Sequence, residues 1–167
     1  MDENNSNNNE EVVENPQDIQ ENEPQVKQEV HTVNNTNNKT INAGKGNDII
    51  YANGGSINTG DGADVIISSE ENESFYGREG ADIYGFYAGF GRDEINNYHI
   101  DNSKDIIKFA DISADDIAFS KNGSDLIITA FDDKLTIKNA LNNIHYAFSK
   151  IIFEDEVDYL LSDLEIS

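Results

Sequence analysis

One short pattern recurs three times in the middle of this chain: glycine, a variable residue, glycine, a second variable residue and aspartate, followed by apolar residues. It is clearest at residues 44–48 and 60–64, and it is partly kept at residues 78–82. The inward apolar position that belongs to the pattern recurs with a nine-residue step, at Ile57, Ile66, Phe75 and Tyr84. A fixed short period of this kind indicates a repeat architecture, in which each unit packs on its neighbours.

Six units fit this repeat when the inward apolar residue is taken as the eighth of nine positions. The second unit is two residues short, and two residues are inserted before the last. The units are residues 43–51, 52–58, 59–67, 68–76, 77–85 and 88–96. Each unit would consist of a six-residue turn followed by a three-residue strand, and two such units would make one coil of a flattened solenoid. We therefore expect a solenoid of this kind over residues 41–97.

The composition restricts the partners that this chain can have. Its 167 residues carry a formal net charge of -22, which repels phosphate backbones and anionic lipids and attracts cations. There is no cysteine, so disulfides and thiolate zinc sites are excluded. The sequence shows no signal-peptide pattern at its N-terminus and no apolar run of transmembrane length. We therefore expect a monomer stabilised by a bound cation, without nucleic-acid partners or membrane insertion.

The composition also divides the chain into three segments. Residues 1–40 contain both prolines, no glycine and no aromatic residue, so we expect a disordered acidic linker, with a weak helix over residues 18–33 as the alternative. The repeats follow at residues 41–97. Beyond them, short alternating runs predict a cap over residues 98–167 with several strands. These runs are residues 105–109, 117–120, 125–131, 135–138 and 150–153.

Two turns and a helix complete the prediction for the C-terminal region. Asn122-Gly123 is a strong hairpin signal, and Asp132-Asp133 predicts a second hairpin. Four apolar residues near the end have the spacing i, i+3, i+4 and i+7, which predicts a short amphipathic helix. These residues are Val157, Leu160, Leu161 and Leu164. We expect these elements to form a mostly antiparallel β cap with a short terminal helix.

The glycine and aspartate pattern has the chemistry that calcium requires. Calcium takes six to eight oxygen ligands at about 2.3 to 2.6 Å, and glycine lets the backbone turn its carbonyl groups toward one point. Turns two units apart stack along one edge of the solenoid at a spacing of about 4.8 Å. An ion between successive turns can therefore ligate both of them. Asp48, Asp64 and Asp82 would share this edge, giving two inter-turn sites.

The opposite edge has a weaker pattern for metal binding. Gly55, Glu73 and Asp93 occupy the equivalent positions there, but the loop that leads to Glu73 contains no glycine. Long side chains without glycine seldom form so tight a turn. We therefore interpret Glu70, Glu71 and Glu73 as a solvated loop.

These residues resemble the haemolysin-type calcium-binding repeats of RTX proteins. The resemblance covers residues from about 42 to the end, because several later segments are similar to the region that follows the repeats in many such proteins. These segments are residues 90–96, 105–109, 115–117, 125–128 and 135–139. The resemblance implies a short parallel β-roll with a β cap. It also implies export by a type I secretion machinery that reads an uncleaved C-terminal signal, and the acidic and apolar tail at residues 163–167 is compatible with this.

The same resemblance implies a set of ligands for Ca²⁺, made of the motif aspartates and backbone carbonyl groups of the glycine turns. The implied residues are Gly44, Gly46, Asp48, Gly60, Asp61, Gly62, Asp64, Glu79, Gly80 and Asp82. Three positions depart from the family pattern Gly-Gly-x-Gly-x-Asp: Ala43 and Thr59 replace its first glycine, and Arg78 replaces its second.

Two classes of function are compatible with the sequence. The first is a non-enzymatic calcium-binding module of a secreted bacterial protein, which folds on calcium binding after export. No Gly-x-Ser-x-Gly, cysteine nucleophile or His-Glu-x-x-His is present, so we expect no catalytic site. The three histidines lack a spacing typical of metal binding or catalysis. The alternative is a calcium-dependent carbohydrate-binding or adhesion module, although the aromatic residues between positions 76 and 90 suit core packing better.

Overall fold

In the part of the chain that the structure describes, two seven-stranded β-sheets pack face to face. The computed structural model describes residues 32–34, 39–146, 148–155, 157–164 and 166. Within this part of the chain, no helix has the length and apolar character needed to cross a membrane. The strands are β1 (Thr32–Asn34), β2 (Ile41–Lys45), β3 (Ile49–Tyr51), β4 (Gly55–Asp61), β5 (Val65–Ile67), β6 (Glu73–Glu79), β7 (Ile83–Phe86), β8 (Arg92–Ile95), β9 (Ile106–Phe109), β10 (Ile117–Asn122), β11 (Asp125–Ala130), β12 (Asp133–Ile137), β13 (Lys150–Ile152) and β14 (Asp158–Leu160).

Successive strands alternate between the two sheets from β1 to β9. One sheet has the order β1-β3-β5-β7-β9-β13-β14, and the other has the order β10-β11-β12-β8-β6-β4-β2. All pairings among the first nine strands are parallel. This is the arrangement of a flattened parallel solenoid, so the prediction of an all-β fold is confirmed.

The nine-residue step of the sequence sets the register of both sheets. Ile57 pairs with Phe75 between β4 and β6, and Ile66 pairs with Tyr84 between β5 and β7. All four side chains are fully buried between the sheets. Consecutive units therefore place their apolar residue in opposite sheets, and both residues point into one shared core.

This core continues from the roll into the C-terminal region without a break. Phe86 and Phe109 lie with ring centroids 5.6 Å apart, and Phe109 stacks on Phe153 at 5.5 Å. The backbone is equally continuous, because β7 pairs in parallel with β9, and β8 pairs in parallel with β12. The cap therefore extends both sheets of the roll. Its own hairpins, β10-β11, β11-β12 and β13-β14, are antiparallel as expected.

The first hairpin of the cap turns one residue later than Asn122-Gly123. Asn122 pairs with Asp125, so the two central residues of the turn are Gly123 and Ser124. Gly123 adopts a φ of 62°, and a type II′ turn needs positive φ at its first central residue. In the second hairpin Ala130 pairs with Asp133, so Asp133 belongs to β12 and not to the turn.

The predicted terminal helix is wrong. Residues 158–160 form β14, which pairs with β13, and a single 3-10 turn over Leu161–Asp163 follows. Tyr159 packs its ring against Phe153 and Phe119, with centroid distances of 5.7 and 6.0 Å. A helix of two turns is marginal without packing, whereas the strand satisfies the open edge of β13.

A short strand lies within the described part of the predicted linker. Residues 32–34 form β1, which pairs in parallel with β3, and Val33 packs against the edge of the core. The composition of residues 1–40 gave no sign of this short strand. The remainder of the predicted linker, up to residue 38, lies outside the described residues.

Candidate metal centre

The glycine turns of the repeats stack directly on one another. Gly44 pairs with Gly60, and Gly60 pairs with Arg78, across three parallel strands. All three residues have positive φ, at 113°, 108° and 77° respectively. Arg78 therefore occupies a left-handed position that glycine fills in the two preceding turns, which is unfavourable for a side chain.

The contact between the stacked turns leaves no room for a side chain on Gly60, Gly62 or Gly80. A Cβ atom on Gly62 would overlap the carbonyl oxygen of Gly46, and a Cβ atom on Gly80 would overlap the carbonyl oxygen of Gly62. These carbonyl groups therefore face the next turn along the stack. The turns are also joined by backbone hydrogen bonds from Gly46 N–H to Asp61 O and from Gly62 N–H to Glu79 O, both of 2.9 Å.

Four buried aspartates form a ladder beside these turns. The Asp48 N–H donates to Asp64 Oδ1 at 2.7 Å, and the Asp64 N–H donates to Asp82 Oδ1 at 2.9 Å. The Asp82 N–H then donates to Asp105 Oδ1 at 2.7 Å. We call Asp48, Asp64, Asp82 and Asp105 the aspartate ladder. The structure thus brings Asp48, Asp64 and Asp82 to one edge, as the sequence predicted.

Two oxygen atoms of the ladder are buried without a hydrogen-bond partner among the described residues. These are the Oδ2 atoms of Asp64 and Asp82. The Thr59 hydroxyl near Asp64 carries one proton, which it donates to the carbonyl oxygen of Gly77 at 2.7 Å. A buried carboxylate oxygen without a donor or a cation is unfavourable. The ladder therefore has the capacity to accept a positive ion.

Burial also makes the charged form of the ladder unfavourable. Loss of solvation raises the pKa of Asp82 to about 8, and the charges of Asp105, Asp64 and Asp101 add to this rise. Burial raises the pKa of Asp64 and of Asp105 as well. Clustered carboxylates in an apolar surrounding need protons or a cation to offset their charge.

The remaining predicted ligands contribute backbone atoms to the edge. The Asp61 carboxylate is exposed and lies 3.3 Å from Lys45 Nζ, while Glu79 Oε1 accepts a hydrogen bond from the Ile100 N–H at 3.3 Å. In the described part of the chain, no three histidine, aspartate or glutamate side chains are arranged as a metal-binding group. An ion at the ladder would therefore need carbonyl oxygens of the glycine turns. Such oxygens suit calcium, which accepts backbone carbonyl ligands, so the residues present fit this ion.

The opposite edge of the roll also carries carboxylates, but hydroxyl groups satisfy them. The Glu73 N–H donates to Asp93 Oδ1 at 2.8 Å, and Ser68 Oγ donates to Asp93 Oδ2 at 2.7 Å. Ser68 Oγ also lies 2.9 Å from Glu73 Oε2, and Ser69 Oγ contacts Glu73 Oε1. Glu73 is thus buried, and its interpretation as part of a solvated loop is wrong. Serine hydroxyls here fill the place between the carboxylates, and burial beside Glu73 raises the pKa of Asp93 to about 8.

Sequence reasoning missed three residues that close the two edges. Asp105 extends the ladder although it follows Asp82 by 23 residues and belongs to no repeat. Asp133 accepts hydrogen bonds from the N–H groups of Gly89 and Gly91, at 2.6 and 3.0 Å. His99 is buried, with Nδ1 at 3.3 Å from Asp101 Oδ1. An aspartate directly before an apolar run, as at Asp105, was the one sequence signal available.

Comparison with known proteins gives a partial relation. No family model matches the chain. Over 68 residues it is 32% identical to the iron-regulated protein FrpA of Neisseria meningitidis serogroup C, an RTX-family protein. The matched part makes up 40% of this chain and 6% of FrpA. The chain is therefore similar to a small part of an RTX protein, in agreement with the resemblance of its repeats.

Proposed function

We propose that this chain is a calcium-binding β-roll module of a secreted RTX-like protein, which folds when it binds calcium after export. The observation that carries the proposal is the aspartate ladder beside the stacked glycine turns, in which the buried Oδ2 atoms of Asp64 and Asp82 have no hydrogen-bond partner among the described residues. The similarity to FrpA supports the relation to RTX proteins.

In this function, the chain supplies carboxylate charge from the ladder and carbonyl oxygens from the turns. Asp48, Asp64 and Asp82 would provide the charged ligands, and the backbones of residues 44–46, 60–62 and 79–80 would provide neutral ones. Calcium supplies the positive charge that offsets the mutual repulsion of the carboxylates when they are buried. Because the ladder is assembled only when the coils stack, the free energy of calcium binding becomes free energy of folding.

Export before folding follows from the same coupling. Extracellular modules bind calcium at about 10⁻⁴ to 10⁻³ M, far above the calcium concentrations that cytosolic sensors detect. The chain, with its net charge of -22, would therefore stay unfolded inside the cell and fold outside. We propose that a type I secretion machinery carries it, and that the chain itself has no catalytic role.

A second candidate function is calcium-dependent glycan binding, favoured by one surface feature. Tyr98 is half exposed and lies 5.3 Å from the ring of Tyr146, beside a shallow cavity of about 360 Å³ that His145 and Lys104 help to line. Exposed aromatic rings next to polar groups are suitable for stacking on sugars. A glycan-array experiment with and without calcium separates this role from that of a folding module, since only the former gives a calcium-dependent signal.

The experiment that tests the main proposal is a calcium titration of chelator-treated protein, followed by far-UV circular dichroism. We expect a transition from coil to β-structure that calcium produces and an equal concentration of magnesium does not. Asp64→Asn and Asp82→Asn keep an oxygen for the hydrogen bond from the preceding rung but remove the charge. Each should shift the midpoint to calcium concentrations higher by about tenfold or more, a loss of about 1.4 kcal/mol or more.

Asp116→Asn is the matched control, because Asp116 is exposed on the cap and its loss removes the same formal charge. This variant should titrate like the wild-type chain. A β-spectrum that is already complete in excess chelator, and unchanged by calcium, would refute the proposal.

A further inference from the structure

Two basic side chains lie next to each other on the outer face of one sheet. Lys134 of β12 is in register with Arg92 of β8, and the next residue along each strand, Leu135 and Asp93, is buried. Side chains alternate between the two faces of a strand, so Arg92 and Lys134 both point outward. In the described part of the chain, neither side chain forms an ion pair with a carboxylate.

This pair of cations is unexpected in a chain with 33 acidic and only 11 basic residues. Like charges side by side on neighbouring strands destabilise a sheet. The carboxylate of the adjacent row, Glu94, is directed toward another cation, with Oε2 at 3.9 Å from Lys138 Nζ. Burial raises the pKa of Asp93 to about 8, so its carboxyl group keeps a proton at neutral pH. An anion from outside could therefore offset the charges of Arg92 and Lys134.

A shallow cavity of about 310 Å³ lies beside this pair, and every described residue that lines it is polar or charged. Ser74, Glu94 and Thr136 form one row of its lining across β6, β8 and β12. Asn72 also lines it, and its Oδ1 atom accepts from the Arg92 N–H at 2.9 Å, which leaves the amide group as a donor. The cavity thus combines two cations with hydroxyl, amide and carboxylate groups.

This combination suits a polar ligand that carries one carboxylate. Arginine binds a carboxylate through two parallel hydrogen bonds, and lysine adds a point charge. Sugar hydroxyl groups both donate and accept, and the cavity offers donors in Asn72, Ser74 and Thr136 and an acceptor in Glu94. The net charge of -22 repels multiply charged anions, so a single negative charge fits better than a phosphate or a polyanion.

We propose that the cavity between β6, β8 and β12 binds a sugar acid, with Arg92 and Lys134 holding its carboxylate. The hydroxyl and amide groups of the lining bind hydroxyl groups of the same sugar ring. This site goes beyond the proposed calcium function, because no residue of the aspartate ladder lines it. It is also separate from the cavity beside Tyr98, since the two cavities share no lining residue.

The test is an NMR titration of the whole isotope-labelled chain with glucuronate, in excess calcium and at low ionic strength. We expect saturable chemical-shift changes at the amides of Ser74, Arg92 and Lys134, and none with glucose at the same concentrations. Acetate should bind at least about tenfold more weakly than glucuronate, because it has no hydroxyl groups. Equal binding of acetate, or tighter binding of sulfate than of glucuronate, would overturn the assignment to a sugar acid.

Two substitutions test the residues that hold the carboxylate. Arg92→Gln and Lys134→Gln should each weaken glucuronate binding at least about tenfold. Lys108→Gln is the matched control, because Lys108 is exposed on β9 in the other sheet and its loss removes the same charge. This control should bind glucuronate like the wild-type chain, and circular dichroism shows whether each variant folds.

Three results would overturn the inference. The first is a wild-type chain without saturable shifts at the cavity. The second is unchanged affinity in the folded Arg92→Gln and Lys134→Gln variants. The third is an equal loss of affinity in Lys108→Gln, since the effect would then come from the overall charge of the chain and not from a built site.

Discussion

On the edge of the roll opposite the aspartate ladder, the carboxyl group of Asp93 beside Glu73 makes the stability of the folded chain depend on pH. Asp93 is buried, and loss of solvation together with the charge of Glu73 raises its pKa from near 3.8 to about 8. Between these two values, the folded chain holds a proton that the unfolded chain has lost. The free energy of unfolding therefore falls as pH rises through this range, by up to about 1.4 kcal/mol per pH unit.

Asp93→Asn removes this titration and keeps the local hydrogen bonds. Its Oδ1 atom can still accept from the Glu73 N–H, and its amide group can donate to Ser68 Oγ, which lies 2.7 Å from the carboxylate oxygen that the amide replaces. From about pH 5 to about pH 7, the wild-type chain should lose up to about 3 kcal/mol more unfolding free energy than the variant. At about pH 7 the variant should be the more stable of the two.

Urea denaturation at a fixed, saturating calcium concentration measures this difference, with circular dichroism as the signal at each pH. Asp116→Asn controls for the change in net charge, since its exposed carboxylate has no hydrogen bond to lose in the described structure. That control should follow the pH dependence of the wild-type chain. Equal pH slopes for the wild-type chain and Asp93→Asn would refute the reasoning.

Three further substitutions test the packing of the turns and of the core between the sheets. Gly62→Ala should destabilise the calcium-loaded chain by at least about 2 kcal/mol in urea denaturation, because its Cβ would overlap Gly46 O at a φ of 144°; a neutral effect would contradict the stacked turns. Arg78→Gly should stabilise the chain by about 1 kcal/mol in the same assay, because glycine tolerates the φ of 77°. A loss of stability would contradict this, since it would show that the guanidinium group stabilises the fold by more than the backbone strain at residue 78 costs. Tyr84→Phe should lower stability by about 1 to 2 kcal/mol in thermal melts, because it leaves Asn97 Oδ1 buried without its 2.9 Å donor; an unchanged melting temperature would contradict that role.

The solenoid was predictable because its information is local and repeated. Ile57, Ile66, Phe75 and Tyr84 recur at nine residues, and a period of two units per coil requires that they pair within two parallel sheets. The alignment of Asp48, Asp64 and Asp82 on one edge follows from the same period. The prediction of a terminal helix was wrong because it rested on the apolar spacing of residues 157–164 alone. The edge of β13 offered these residues a partner for a strand.

The closing residues were not predictable because they depend on the path of long loops. Asp105 reaches the ladder 23 residues after Asp82, and Asp133 reaches the Gly89 N–H across 44 residues. Neither separation is a multiple of the repeat. Glu73 was misassigned because its burial depends on Asp93, which approaches it only when the coils stack, as well as on Ser68 in its own turn.

Hydrogen exchange at the amides of Asp48, Asp64 and Asp82 tests the central claim most directly. In the folded chain each of these N–H groups donates to the carboxylate of the next rung. If calcium binding assembles the ladder, their exchange should be at least about a hundredfold slower in calcium at a hundred times its dissociation constant than in chelator. Equal protection of these amides with and without calcium would contradict the account, because the ladder would then be stable without the ion.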